Sequence, residues 1–159
     1  MEYIATTKFE GMLVPIYVDD LDGAHAITTN LFAHYDKLKS KYQIVLNREL
    51  MNKEEEFIKY VFNHELGHLK LYLKRQRKEF LGLWDLFNEE LYCDVYSLRS
   101  MNKYNIDFIN YLYEYESSNS ISGPIYEQRM IYKYMKLFIK HNIYNNIDDI
   151  LTINFDGIF

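Results

Sequence analysis

Two histidines with a glutamate between them are the residues of this chain best suited to chemistry. They are His64 and His68, which together with Glu65 form an H-E-x-x-H pattern. On a helix, a spacing of four residues brings both imidazoles to one face, where two nitrogens can reach one metal ion. Glu65 lies about 100° round the helix from His64, within reach of a water at that metal without being a ligand. The pattern therefore predicts one zinc ion on His64 and His68, with Glu65 as the general base of a hydrolysis.

A catalytic zinc also needs a third protein ligand and an open position. Glu90 and Asp94 are four residues apart and follow His68 with enough chain between them to turn and run back. We expect Glu90 to complete the metal site and Asp94 to accept the outer N–H of a ligand histidine, which fixes its tautomer. Glu89 is the alternative third ligand, one residue out of register with Asp94.

The elements expected to position these residues are two helices. Apolar residues recur at intervals of three and four from about residue 53, which predicts a largely buried helix with Asn52 as its N-cap. A second helix is predicted over about 80–104, with Glu90 and Asp94 beside its apolar stripe. Burying a carboxylate among apolar neighbours costs free energy unless a positive charge lies beside it, and this favours a metal ion at these positions. Two more helices are predicted over 106–116 and 124–141, the last beginning at Pro124.

The first fifty residues are predicted to contain the β-structure. Strands are expected over 13–18 and 42–46, a turn over 19–23 and a short helix over 31–40. Pro15 favours an edge position for the first strand. The tail residues 151–156 alternate apolar and polar residues like a strand, which could close the sheet or cover the cleft. The chain is thus predicted to be one small, mostly helical α+β domain, 1–159, with a β-containing part (1–50), a helical catalytic part (51–141) and a tail (142–159).

Composition narrows the class of protein. A chain of 159 residues, 48% hydrophobic and 26% charged, predicts one globular domain with a real core. A net charge of -5 argues against a nucleic-acid partner. The single cysteine, Cys93, excludes an internal disulfide and suits a reducing compartment. We find no signal-peptide pattern and no apolar run of membrane-spanning length, so we expect a cytoplasmic protein without a membrane partner.

Two segments carry a family resemblance. Residues 64–68 and 90–94 resemble the H-E-x-G-H … E-x-x-x-D pattern of gluzincin metallopeptidases, chiefly the soluble cores of CAAX-type and HtpX-like endopeptidases and the minigluzincins. Residues 44–47 are similar to a strand of ImmA/IrrE-type peptidases. The resemblance implies a zincin-like fold, one zinc ion and a peptide or protein substrate.

A third segment, Pro124 to Met130, resembles the H-P-x-x-x-x-R-I segment with which these families open a later helix. The resemblance implies that Arg129 steadies the catalytic machinery. The chain departs from the family at Gly123, where the family has histidine, and this puts histidine-assisted oxyanion stabilisation in doubt. The departure leaves open a second hypothesis, a metal-stabilised regulatory or binding module without turnover. A latent peptidase blocked by its own tail is a third.

Overall fold

The computed structural model describes residues 1–30, 42–76, 85–118 and 124–155. Within these ranges the chain forms four strands followed by four α-helices. The strands are β1 (Glu2–Phe9), β2 (Met12–Asp19), β3 (Ala26–Asn30) and β4 (Tyr42–Asn47). The helices are α1 (Glu55–Gln76), α2 (Leu86–Ser100), α3 (Ile106–Ser118) and α4 (Tyr126–His141). The architecture is a small α+β domain, as predicted. The helix expected over 31–40 lies outside the described residues.

The four strands form one mixed sheet in the order β1-β2-β4-β3. β1 and β2 are an antiparallel hairpin, β2 pairs parallel with β4, and β3 pairs antiparallel with β4. Glu10 and Gly11 connect the two strands of the hairpin, with φ of 49° and 80°. A two-residue turn of type I′ requires positive φ at both of these positions. Every residue of β4 is buried, whereas β1 is mostly exposed. The sheet therefore meets the helices through its inner strands.

The edge position expected for the strand with Pro15 is wrong, because β2 lies between β1 and β4. The physical reason is that the pairing with β4 begins only at Ile16. At Pro15 itself, β2 has a described neighbour on one side only, where it faces Thr6 of β1. The missing N–H of the proline therefore interrupts no bond to β4. Strands β1 and β3 were not predicted individually.

The boundaries of the two central helices differ from the predicted ones. Asn52 ends a short 3-10 helix, Arg48–Asn52, so it does not cap α1, which begins at Glu55. The side chain of Asp85 caps α2 by accepting from the amide of Phe87. That helix ends at Ser100, before the predicted 104, because the chain turns through Asn102 at φ 57°. Residues 80–84 of the predicted helix lie outside the described residues.

The strand expected in the tail is also wrong. Residues Ile147–Thr152 form a 3-10 helix that packs on α2, and Asn88 donates its amide to the carbonyls of Ile150 and Ile153. Phe155 lies against Phe87 and Tyr134. The alternation of apolar residues here serves burial in a helical layer, not sheet pairing.

One cluster of buried side chains joins the inner strands, all four helices and the tail. Among the described residues, no helix is both long and apolar enough to cross a membrane. Helix α1 runs through the middle of the molecule and contacts both α2 and strand β3. Residues 64–68 thus lie between the second helix and the edge of the sheet.

Candidate metal centre

The two histidines of α1 face one carboxylate of α2. His64 Nε2 lies 3.0 Å from one carboxylate oxygen of Glu90, and His68 Nε2 lies 3.2 Å from the other. The ring centroids of the two histidines are 4.9 Å apart. The Glu90 side chain is 36% exposed, so its carboxylate is reachable from outside. The three predicted metal ligands therefore come together, with their ligand atoms turned towards one another.

The other ring nitrogen of each histidine is paired with its own carboxylate. His64 Nδ1 lies 2.6 Å from Asp94 Oδ1, and His68 Nδ1 lies 3.0 Å from Glu89 Oε1. Arg75 donates to the second oxygen of Glu89 at 2.7 Å. A carboxylate at Nδ1 keeps the proton there and leaves Nε2 as the ligand atom. Asp94 is where the sequence predicted it, and Glu89, the alternative ligand, holds the outer side of His68.

Asp94 belongs to a buried network of hydrogen bonds. Its side chain is fully buried. Tyr60 donates its hydroxyl to Asp94 Oδ1 at 2.8 Å, and Gln128 donates its amide to Oδ2 at 2.8 Å. Three donors from two other helices thus compensate the burial of this carboxylate, which holds His64 in one orientation.

Glu65 lies on the side of α1 that faces the sheet. Only 5% of the residue is exposed, and Thr28 of β3 donates its hydroxyl to Glu65 Oε2 at 2.5 Å. This carboxylate makes no hydrogen bond to either histidine among those observed and lines the same cavity as they do. The geometry fits a base held beside the metal ligands, not a fourth ligand.

The charges around the histidines are predominantly negative. Burial tends to lower the pKa of each imidazole, but the neighbouring carboxylates outweigh it. The pKa of His64 is raised well above its ordinary value, mainly through Asp94 and then Glu90, and that of His68 rises to about 9 through Glu89 and Glu90. The pKa of Glu90 is correspondingly lowered, although burial opposes the change. The carboxylates at this centre are those of Glu65, Glu89, Glu90 and Asp94, and Arg75 forms an ion pair with Glu89.

A divalent cation fits this donor set. Two imidazole nitrogens and one carboxylate are the ligand types of a catalytic zinc site. Without a metal, protons on the imidazoles balance the negative charge of the carboxylates. A metal cation between the two imidazoles and Glu90 would replace those protons. The surplus of negative charge and the carboxylates at both Nδ1 atoms therefore agree with the metal that the sequence predicted.

Cys93 is a rival third ligand by distance alone. Its thiol and one nitrogen of each histidine lie within 4.8 Å of one another. The residue is fully buried, and burial, followed by the neighbouring carboxylates, raises the pKa of the thiol well above its ordinary value. Cys93 does not line the cavity, whereas Glu90 does. Glu90 therefore fits the third position better than Cys93, whose burial is that of a small hydrophobe.

The close approach of α1 and α2 depends on Gly67. A Cβ added at this glycine would lie 3.0 Å from Cys93 Cα and 3.2 Å from both Cβ and Sγ of that residue. A side chain at position 67 would therefore meet the backbone of Cys93 on α2, the helix that carries Glu90, in a tighter contact than most Cβ atoms make. This explains the glycine inside the H-E-x-x-H segment.

A cavity of about 610 Å³ opens over the histidines, large enough for several side chains of a peptide. Its floor is α1 and its walls come from three other parts of the chain. Residues 23–28, at the start of β3 and before it, form one wall, the ends of α3 and α4 another, and Glu90 of α2 a third. Among the described residues β3 pairs only with β4, and residues 26–28 of β3 line this cavity.

Arg129, the residue singled out by the family resemblance, is not brought to this centre. It is exposed on α4 and does not line the cavity. The residue before it, Gln128, lines the cavity and binds Asp94 instead. Gly123, the position of the missing family histidine, lies outside the described residues.

Several residues at the centre were not predicted from the sequence. Tyr60 lies one helical turn before His64, so the spacing of four residues could have placed it on the same face of the helix as the histidines. No such spacing identifies the other three residues, because only the tertiary structure brings each to its partner. These pairs are Thr28 with Glu65, Arg75 with Glu89, and Gln128 with Asp94.

The chain was also compared with known proteins. No family model matches it, and neither a curated protein nor a solved structure is detectably similar to it.

Proposed function

We propose that this protein is a zinc-dependent metallopeptidase of the gluzincin type. The observation that carries the proposal is the pairing of both Nε2 atoms with the carboxylate of Glu90, at 3.0 and 3.2 Å, while both Nδ1 atoms are held by other carboxylates. Such an arrangement orients three ligand groups towards one point and supports a metal site with one position open. His64, His68 and Glu90 would hold the ion.

When bound, zinc supplies two things at this point: it acidifies a water molecule and polarises a carbonyl group. Glu65 accepts the proton of the attacking water and passes it to the leaving amine of the cleaved peptide bond. The hydrogen bond from Thr28 orients the Glu65 carboxylate for this transfer. Asp94 and Glu89 keep the two imidazoles in the tautomer that leaves Nε2 free.

The proposed substrate is an extended peptide or protein segment. Residues 26–28 of β3 line the cavity, and among the described residues β3 pairs only with β4, which supports the addition of an extended chain to β3 through main-chain hydrogen bonds. The single, buried Cys93 supports a reducing compartment, and we place the activity in the cytoplasm.

The test is the conservative substitution Glu65→Gln in zinc-loaded protein. The variant should retain one equivalent of zinc, measured by elemental analysis, and lose cleavage of a mixed peptide library by about a hundredfold or more. Glu55→Gln, the same change at an exposed position of α1, is the matched control and should cleave normally. A Glu65→Gln protein as active as the parent would overturn the assignment.

A second candidate is a metal-binding regulatory module that does not turn over. The observation that favours it is the position of Arg129, exposed and away from the cavity. Under this alternative the protein binds zinc and is stabilised by it, yet cuts no member of the peptide library. The library experiment therefore separates the two.

A further inference from the structure

Glu116, near the end of α3, is a half-buried carboxylate that the proposed chemistry does not use. It lines the cavity and receives one hydrogen bond, from the Tyr132 hydroxyl to Oε1, at 2.5 Å. Its second oxygen accepts no hydrogen bond from the described residues, yet it is not among their fully buried, unsatisfied atoms. That oxygen is therefore accessible, and the residue opens onto the cavity.

No cation of the described residues lies within ion-pairing distance of Glu116. Its surroundings are Tyr132 and, more distantly, the negative charge of Asp94. Burial raises the pKa of this carboxyl to about 7, with Asp94 adding to the effect and the hydrogen bond from Tyr132 opposing it. Burying a carboxylate in this way costs stability unless a partner compensates it.

The cavity that Glu116 lines also has aromatic side chains in its walls. Tyr60, Phe57 and Tyr115 line the same cavity, and the Phe57 and Tyr115 rings are 4.9 Å apart. Aromatic faces next to a carboxylate accept the methylene stem and the charge of an organic cation. Lys53 also lines the cavity, and it adds to burial in lowering the pKa of His25.

We propose that Glu116 forms a subsite for a positively charged group of the bound peptide. The group is an organic ammonium or guanidinium, carried by a lysine or arginine side chain or by the free N-terminus. The proposal rests on the proposed peptide-binding function of the cavity and adds a charge preference to it. Glu116 is here a specificity residue and takes no part in bond cleavage.

The experiment measures binding, so that it does not depend on turnover. Zinc-loaded, full-length Glu65→Gln protein is titrated with labelled octapeptides by fluorescence anisotropy. The peptides are N-acetylated and C-amidated, and lysine is scanned through the sequence against norleucine at the same position. A third set has norleucine throughout and a free N-terminus, which distinguishes a side-chain amine from a terminal one.

We expect lysine at one position, or the free N-terminus, to bind about tenfold or more tightly than the uncharged peptide, as for a charge-assisted hydrogen bond. Adding Glu116→Gln, which keeps an oxygen for the Tyr132 hydroxyl, should reduce this advantage below about twofold. Glu114→Gln, at an exposed position of the same helix, should leave the advantage unchanged. Circular dichroism of each variant verifies the fold.

The subsite proposal is overturned if no charged peptide binds better than its uncharged partner, or if the advantage survives Glu116→Gln. The peptidase proposal is decided separately, by cleavage in protein that retains Glu65. Charge-selective binding without cleavage would support the subsite and count against the peptidase.

Discussion

At the scale of single residues, two adjacent glutamates have different roles. Glu90 reaches the inner nitrogens of both histidines, whereas Glu89 reaches the outer nitrogen of His68 and is held by Arg75. Side chains of consecutive residues on a helix point about 100° apart. The carboxylate of Glu90 therefore lies between the two imidazole rings, whereas that of Glu89 lies on the Nδ1 side of His68. The two positions are therefore not interchangeable.

This difference predicts unequal losses of zinc affinity. Glu90→Ala removes a ligand and should weaken zinc binding by well over about a hundredfold, whereas Glu89→Gln disturbs only an outer hydrogen bond and should cost about tenfold. Competition with a chromogenic chelator measures both. Equal losses in the two variants, or a larger loss for Glu89→Gln, would contradict the assignment of Glu90 as the ligand.

A second prediction at this scale concerns Glu116 in metal-free protein. Its pKa is about 7 when folded, above the value of about 4.5 for an exposed glutamate. An acid whose pKa is raised on folding costs little stability below pH 4.5; the cost grows as pH rises from about 4.5 to about 7 and stays constant above that. Glu116→Gln should therefore leave stability nearly unchanged at pH 4.5 and increase it by about 3 kcal/mol at pH 8.

Urea unfolding at the two pH values measures the effect. Glu114→Gln, which changes an exposed carboxyl of the same helix, is the control and should show no such pH dependence. If the Glu116→Gln variant were instead less stable than the parent at pH 8, the carboxylate would have to be compensated by a partner in the folded protein.

At the scale of elements, the contact between α1 and α2 determines whether a site exists at all. The contact is tight at Gly67, where an added Cβ would lie 3.0 Å from the Cα of Cys93. Ser97 adds a second connection by donating its hydroxyl to the carbonyl of Tyr60. Because Glu90 and Asp94 lie on the same helix as these contacts, the distance between the helices sets the distance between carboxylates and imidazoles.

We therefore predict that Gly67→Ala is harmful although alanine favours helices. An added methyl group would lie 3.0 Å from the Cα of Cys93, a tight contact with backbone, and should lower stability by about 1 kcal/mol net and zinc affinity by about tenfold. Lys59→Ala, an exposed change on α1, should stay within about 0.5 kcal/mol. Thermal unfolding and chelator competition measure the two effects. A more stable Gly67→Ala protein with unchanged affinity would show that the helices have room to spare.

At the scale of the whole molecule, the site is attached to a core that does not depend on it. Buried side chains from the sheet, all four helices and the tail form one cluster. The carboxylate–imidazole pairs His64–Asp94 and His68–Glu89 also connect α1 to α2. Removing the metal should therefore weaken the protein without unfolding it.

The corresponding prediction is a shift in melting temperature. At free zinc about a thousandfold above its dissociation constant, binding stabilises by about 4 kcal/mol, which corresponds to about 10 °C for a domain of this size. Stripping with EDTA should lower the melting temperature by this amount while the far-ultraviolet circular dichroism stays helical. His68→Ala protein should show no zinc-dependent shift. Complete unfolding on metal removal would mean that the site, not the core, stabilises the fold.

The sequence by itself determined the local features of this protein. The spacing of His64, Glu65 and His68 on one helix follows from helical periodicity, and so does the spacing of Glu90 and Asp94. The α+β class, strand β4 and the existence of the helices were also predictable, because each depends on residues close together along the chain. The zinc ion, the peptide substrate and the role of Arg129 remain predictions.

Only the tertiary structure decided what these elements meet. The order of the sheet put Pro15 in an inner strand, and packing on α2 made a 3-10 helix of a tail that alternates like a strand. The partners of the site, Thr28 on Glu65 and Gln128 on Asp94, come from distant parts of the chain. Periodicity reports which side of an element is apolar but not which element covers it, so these contacts were settled by packing alone.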